Sequence, residues 1–208
     1  KTLIKNGRVI NVFTAEIENT NILIENDTII GLDDYTDDDA DVIYDVCGKY
    51  ICPGFIDGHI HIESTMLMPS ELAKVCVLHG TTSVVADPHE IANVCGNAGI
   101  AYMLASSDDI PLNVYIMLPS CVPSTELDES GAVLNSDDLE PFYEHPRVLG
   151  LAEMMNYPGV LRDDSDVLTK IAGAKKRRLK VNGHAPLLSG KALDKYIAAG
   201  IGDDHECS

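Results

Sequence analysis

The spacing of hydrophobic and polar positions changes near residue 50. Before it, short β-branched runs alternate with turn dipeptides. Residues 2–5 lead to Asn6-Gly7 and then 8–12, while 21–25 lead to Asn26-Asp27 and then 28–32. Runs of this kind joined by Asn-Gly or Asn-Asp predict β-hairpins. Residues 42–46 add another strand, and this small β-unit carries no ligand-like residues of its own.

From Pro53 onward, strand-like runs alternate with helix-like ones. The strands are expected over 55–61, 81–87, 112–118, 148–153, 179–184 and 201–205. Helices are expected from Pro69 to His79, from Glu90 to Ser107, from Ser136 to Tyr143, from Asp164 or Ser165 to Arg178, and from Ser189 to Ala199. Gly80 supplies a stop for the first and Pro69 suits its first turn. Strands that alternate with helices pair in parallel with the helices outside. An open doubly wound sheet and part of a (β/α)8 barrel of the TIM type both satisfy this pattern.

The strand ends separate the two. His59 and His61 close the first run, Asp87, His89 and Glu90 the second, and Ser120 and Cys121 the third. Glu153 closes the fourth, His184 the fifth and His205 the sixth. A barrel gathers all these ends at one mouth, where barrel active sites lie, whereas an open sheet spreads them along an edge. The expected fold is therefore the barrel, incomplete at about six strands.

Chemistry follows from the residue types. After the Pro53-Gly54 lead-in, Phe55 and Ile56 begin a short apolar run that reads as a buried strand. On a strand, residues two apart share a face at roughly 6–7 Å along it, so Asp57, His59 and His61 form a metal hook. Glu153 ends an apolar run, and a buried charge there has to be paired or coordinated. Four histidines and one carboxylate exceed the needs of one ion. They suit two ions bridged by Glu153, the candidate catalytic group, with a hydroxide held between them. Asp87 and His89 either support that site by hydrogen bonds or hold an additional ion. His79, at a helix end, and His145, before Pro146, read as cap or surface residues. The expected reaction is metal-assisted hydrolysis at a trigonal carbon of an amide, ester or amidine.

Composition narrows the partners. Lys+Arg 15 against Asp+Glu 33 gives a net charge of −18, which argues against nucleic acid or an anionic membrane. Much of the excess sits between Asp33 and Asp41 and reads as a solvated loop. No apolar run suffices to span a bilayer, and nothing near Lys1 resembles a signal peptide. The six cysteines (47, 52, 76, 95, 121 and 207) lack C-x-x-C spacing, which predicts free thiols in a reducing cytoplasm.

The stretches PGFIDGHIHIESTML (53–67), GTTSVVADPHEIANVCG (80–96), LPSCVPSTELDESGA (118–132), GLAEMMNYPGV (150–160), NGHAPLLSG (182–190) and DDHE (203–206) resemble the amidohydrolase superfamily and, within it, the adenine deaminases. The resemblance implies residues 1–50 as part of a β-sandwich domain and 51–208 as the metal-dependent barrel, truncated after its sixth strand. It implies metal-dependent deamination of adenine to hypoxanthine and ammonia in purine salvage, by attack of a metal-bound hydroxide at C6. It carries metal-ligand roles onto His59, His61, His184 and His205, with Glu153 as bridge. The cofactor implied is a binuclear pair of Mn2+ or Fe2+, with Zn2+ as the alternative, and the complete protein is expected to be a homo-oligomer. The same resemblance would place Asp where Asn182 stands, Gly where Leu187 stands and Ser where Asp203 stands. A barrel of this type takes about 250 residues, so the chain reads as the front portion of such an enzyme, inactive alone. The competing readings are a dihydroorotase- or hydantoinase-like cyclic amide hydrolase and a metal-binding fragment without catalysis.

Overall fold

A computed structural model describes residues 1–206, so Cys207 lies outside the described residues. The chain divides into two units, the first ending at Gly54 and the second beginning at Phe55.

The first unit is one five-stranded sheet built on β1 (Thr2–Asn11). β1 pairs antiparallel with β2 (Glu16–Glu25), which continues through the Asn26-Asp27 turn into β3 (Thr28–Asp33). β4 (Val42–Asp45) and β5 (Tyr50–Ile51) lie parallel to β1. Asn6-Gly7 was expected to turn the chain back, and it does not. Asn6 takes φ +59 and the β1–β2 register slips between Ile4 and Gly7, a bulge inside one long strand. The Asn21 side chain accepts the Asn6 N–H at 2.9 Å, giving the bulged backbone a partner. The acidic stretch folds at Asp37–Asp39 into a short turn on the exposed surface, with Lys5 Nζ 2.6 Å from Asp37.

The second unit is a curled parallel sheet of five strands, half of a barrel wall. Its strands are β6 (Phe55–Ile60), β7 (Thr81–Ala86), β8 (Asn113–Leu118), β9 (Val148–Met154) and β10 (Lys180–Gly183), paired in that order. The connecting helices are α1 (Pro69–Cys76), α2 (His89–Cys95), α3 (Asn97–Ala105), α4 (Ser136–Leu139), α5 (Tyr157–Leu161), α6 (Ser165–Lys176) and α7 (Gly190–Ala199). Apolar side chains of β7, β8 and β9, among them Val84, Ile116 and Leu151, meet Ile100, Leu139 and Ile171 of the helices in one core. Gly150 is required in β9, because a Cβ there would lie 2.1 Å from the Lys180 carbonyl of the neighbouring strand.

Three expectations change. The run from Phe55 was expected to be buried, yet Phe55 and Ile56 are 60% and 69% exposed, since β6 is an edge strand of the sheet. The helix expected from Glu90 to Ser107 is two helices, broken where Gly96 adopts φ +58 and ψ −140. The sixth strand, 201–205, does not form. Gly202 donates one backbone bond to Val181, but Asp203 and Asp204 carboxylates take the Gly183 and Ala185 N–H groups. These side-chain acceptors occupy donors that a ladder would use.

Candidate metal centre

The C-terminal ends of the parallel strands converge on Glu153. Its carboxylate, 4% exposed, sits near the end of β9, where the apolar residues before it hold the strand in the core. Oε1 faces His61 Nε2 at 3.4 Å and His89 Nδ1 at 3.6 Å. Oε2 faces His184 Nδ1 at 2.8 Å and His205 Nε2 at 3.0 Å. His59 completes the set, with Nε2 3.1 Å from His61 Nε2 and its ring 4.3 Å from that of His205, centroid to centroid. All five expected ligands, His59, His61, Glu153, His184 and His205, are therefore brought together, and His89 joins them. Asp57 does not: it is exposed, and its carboxylate accepts the His59 N–H at 3.2 Å.

The backbone fixes how these rings are presented. His61 Nδ1 lies 3.1 Å from the Asp87 carbonyl, which can only accept, so Nδ1 carries the proton and Nε2 keeps its lone pair toward Glu153. The Tyr196 hydroxyl accepts the His184 N–H at 2.9 Å and donates to the Met154 carbonyl at 3.0 Å, joining β9 to the His184 loop. Ser120 Oγ donates to the Glu153 carbonyl at 2.5 Å, while Cys121 Sγ accepts the Asn156 N–H at 3.2 Å. Tyr196 was missed from sequence, because a tyrosine inside a helix pattern looks like any core aromatic. Glu206, 3.9 Å from His205, also borders the cluster. The residues that stand in place of the expected Asp and Ser, Asn182 and Asp203, bond to each other at 2.6 Å. Glu63 accepts the Ile91 N–H at 3.0 Å, Ser64 bonds to Glu90, and Asn156 caps α5 at Gly159 N.

Burial dominates the electrostatics. It lowers the pKa of His59, helped by the neighbouring His205. It raises the Asp87 carboxyl, with His89 opposing. It works against protonation of His89, but the Asp87 hydrogen bond and charge outweigh it and raise that imidazole. His79 is exposed and His145 only accepts the Arg147 N–H at 3.2 Å, so both stay outside the cluster as expected.

This donor set fits metal ions. Five imidazoles and two buried carboxylates crowd together, and Asp87 Oδ1 is buried without a hydrogen-bond partner. Donors about 2.0–2.2 Å from a tetrahedral ion lie about 3.3–3.6 Å apart, as the 3.4 and 3.6 Å spacings on the Oε1 side of Glu153 do, while the 2.8 and 3.0 Å contacts of Oε2 are shorter.

A family model described as "Amidohydrolase family" matches residues 50–208. The chain belongs to the amidohydrolase family. Among curated relatives, this amidohydrolase is 46% identical over 206 residues to the adenine deaminase of Desulfatibacillum aliphaticivorans. It is 49% identical over 207 residues to that of Kosmotoga olearia. Each match takes in 99% of this chain but 36% of the relative, so the chain spans about a third of their length. Among solved structures, it aligns with an N-acyl-D-glutamate deacylase from Bordetella bronchiseptica at TM-score 0.67 and 16% identity, covering 99% of this chain and 51% of that one. An atrazine chlorohydrolase from Arthrobacter aurescens, solved with zinc, aligns at 0.64 and 14%, covering 95% and 56%. These two likenesses show the fold alone. Among the described residues no helix is long and apolar enough to cross a membrane, and Cys47, Cys52, Cys76, Cys95 and Cys121 are free.

Proposed function

We propose that this chain is the metal-binding part of an adenine deaminase, which hydrolyses adenine to hypoxanthine and ammonia. The observation that carries the reading is Glu153, a buried carboxylate whose two oxygens each face two imidazoles. The curated relatives at 46–49% identity, named adenine deaminases, supply the substrate. On this reading residues 51–208 are barrel wall and residues 1–50 part of a β-sandwich.

His59, His61, His184 and His205 would hold two divalent cations, Mn2+ or Fe2+ with Zn2+ as the alternative, sharing Glu153 as bridge. Such a pair lowers the pKa of water toward neutrality and polarises the bond attacked. The chain's own residues hold the site in readiness. Asp87 keeps the His61 tautomer through its carbonyl, and Tyr196 sets the His184 loop against β9. Hydrolysis adds the oxygen of water at the carbon that bears the amino group, and that group leaves as ammonia. A cyclic amide hydrolase that relies on a carboxylated lysine at the fourth strand lacks its lysine here, since Glu153 occupies that place. The free thiols suit a reducing compartment.

The test is a substrate comparison. The full-length protein loaded with Mn2+ is assayed on adenine, dihydroorotate and hydantoin. Ammonia release from adenine alone is expected, and turnover of a cyclic amide without adenine turnover contradicts the reading.

A further inference from the structure

We propose that Ser120 and Cys121 are positioning residues, whose side chains hold the backbone turn that aims the Glu153 carboxylate. This rests on the reading of Glu153 as a metal bridge and leaves the ligands as assigned. The ladder between β8 and β9 stops short of Glu153. Its last pair is Leu118 with Leu151, and the residue after Leu118 is Pro119, which has no N–H to give. On the β10 side, Gly183 pairs with Met154, and the Tyr196 hydroxyl reaches the Met154 carbonyl. On the β8 side, side chains stand in for backbone. Ser120 Oγ lies 2.5 Å from the Glu153 carbonyl oxygen, and Cys121 Sγ lies 3.2 Å from the Asn156 backbone nitrogen.

The direction of each bond follows from its fixed members. A carbonyl only accepts, so the Ser120 hydroxyl gives its proton to Glu153. A backbone N–H only donates, so the Cys121 sulfur accepts from Asn156. Ser120 Oγ and Cys121 Sγ are 3.0 Å apart, and with the hydroxyl proton committed, the thiol proton points to Oγ. One chain of donors thus runs from the Asn156 N–H through sulfur and oxygen to the Glu153 carbonyl, across the residues where β9 ends. The same carbonyl takes the Met155 N–H at 2.9 Å, so both of its lone pairs are used. Ser120 and Cys121 are 2% and 3% exposed. Removing either polar group strands a buried backbone partner and frees the turn on its β8 side.

The probe is Co2+ alone, added to the metal-free full-length protein, with affinity read by chelator competition and the ligand field from the visible spectrum. Ser120→Ala, Cys121→Ala and Cys121→Ser are compared with Ser107→Ala. Ser107 is the matched control: it is 5% exposed and follows α3, and its hydroxyl donates to the Met103 carbonyl at 2.7 Å. Ser120→Ala should weaken cobalt binding by at least about 10-fold, the loss typical of groups that orient a ligand, and should shift the spectrum. Cys121→Ala should move both readouts the same way but less, because a thiol is the weaker partner. Cys121→Ser keeps a donor and an acceptor and should restore the parent's values. Ser107→Ala should lower the urea midpoint much as Ser120→Ala does, with both cobalt readouts unchanged. In the Mn2+ form, Ser120→Ala should lower kcat for adenine and leave KM unchanged, since the hydroxyl faces backbone. Circular dichroism checks folding, and the Cys121 pair decides the matter if Ser120→Ala does not fold. If Ser120→Ala behaves as Ser107→Ala does, with a lower midpoint but the parent's affinity and spectrum, Ser120 is an ordinary core hydroxyl and the inference is overturned. A parent that binds cobalt but, loaded with Mn2+, releases no ammonia from adenine contradicts the substrate reading alone, and the cobalt readouts still decide this one.

Discussion

The Tyr196 hydroxyl takes the backbone N–H of His184 at 2.9 Å and gives its own proton to the Met154 carbonyl at 3.0 Å. One fully buried side chain thus couples the strand of Glu153 to the loop of His184. Tyr196→Phe leaves the ring in place but orphans both backbone groups. Stability should fall by about 2–3 kcal/mol, the cost of stranding buried polar groups. Metal affinity should fall by about 10-fold or more as His184 loosens. Urea unfolding and a chelator competition measure the two separately.

The tyrosines also set a response to alkali. Burial pushes Tyr143 up to about 12, and burial raises Tyr196 as well. An unfolded tyrosine ionises near about 10. Between that value and 12 the folded chain keeps a proton that the unfolded chain has lost, so stability present below about pH 10 is lost as pH rises through this window. Denaturation midpoints at stepped pH should fall there, and Tyr143→Phe should make the fall shallower. An unchanged slope in that variant contradicts the assignment.

Glu153→Gln keeps the shape of the side chain and removes the charge that four imidazoles face. It should lower metal occupancy and cost more than about 100-fold in rate, beyond the loss typical of supporting groups. His145→Ala is the control: its ring only accepts a local N–H, and metal content and rate should not change.

Leu187 stands three residues after His184 with φ +65 and is 89% exposed. Left-handed backbone costs a leucine about 1–2 kcal/mol, while glycine's extra freedom costs about 0.5–1 kcal/mol. With almost no packing to lose, Leu187→Gly should raise stability by up to about 1 kcal/mol. Loss of stability in the variant would mean that the side chain has a packing partner.

The polar strand ends were legible because a parallel sheet puts the C-terminal ends of its strands on one side, so His59, His61, Glu153 and His184 could be read as one group. Asp87 and His89 were legible as neighbours of that group. Their roles were not, since these depend on the 2.9 Å contact between them and the 3.6 Å approach to Glu153. Asn6-Gly7 misled because the dipeptide that turns a hairpin also fits a bulge, and the long pairing with β2 decides between them. The break at Gly96 went unread because the apolar spacing runs on through it. The exposure of Phe55 depends on which strands flank β6, and the hydrogen bond between Asn182 and Asp203 on two segments meeting in space. Local spacing records neither.

Titrating Mn2+ into the metal-free full-length protein, with ammonia release from adenine as the readout, tests the central claim most directly. Activity should be absent without metal, rise with added Mn2+ and saturate at two equivalents, because Glu153 is read as the bridge between two ions. Turnover of adenine by the metal-free protein, or saturation at one equivalent, would contradict the account.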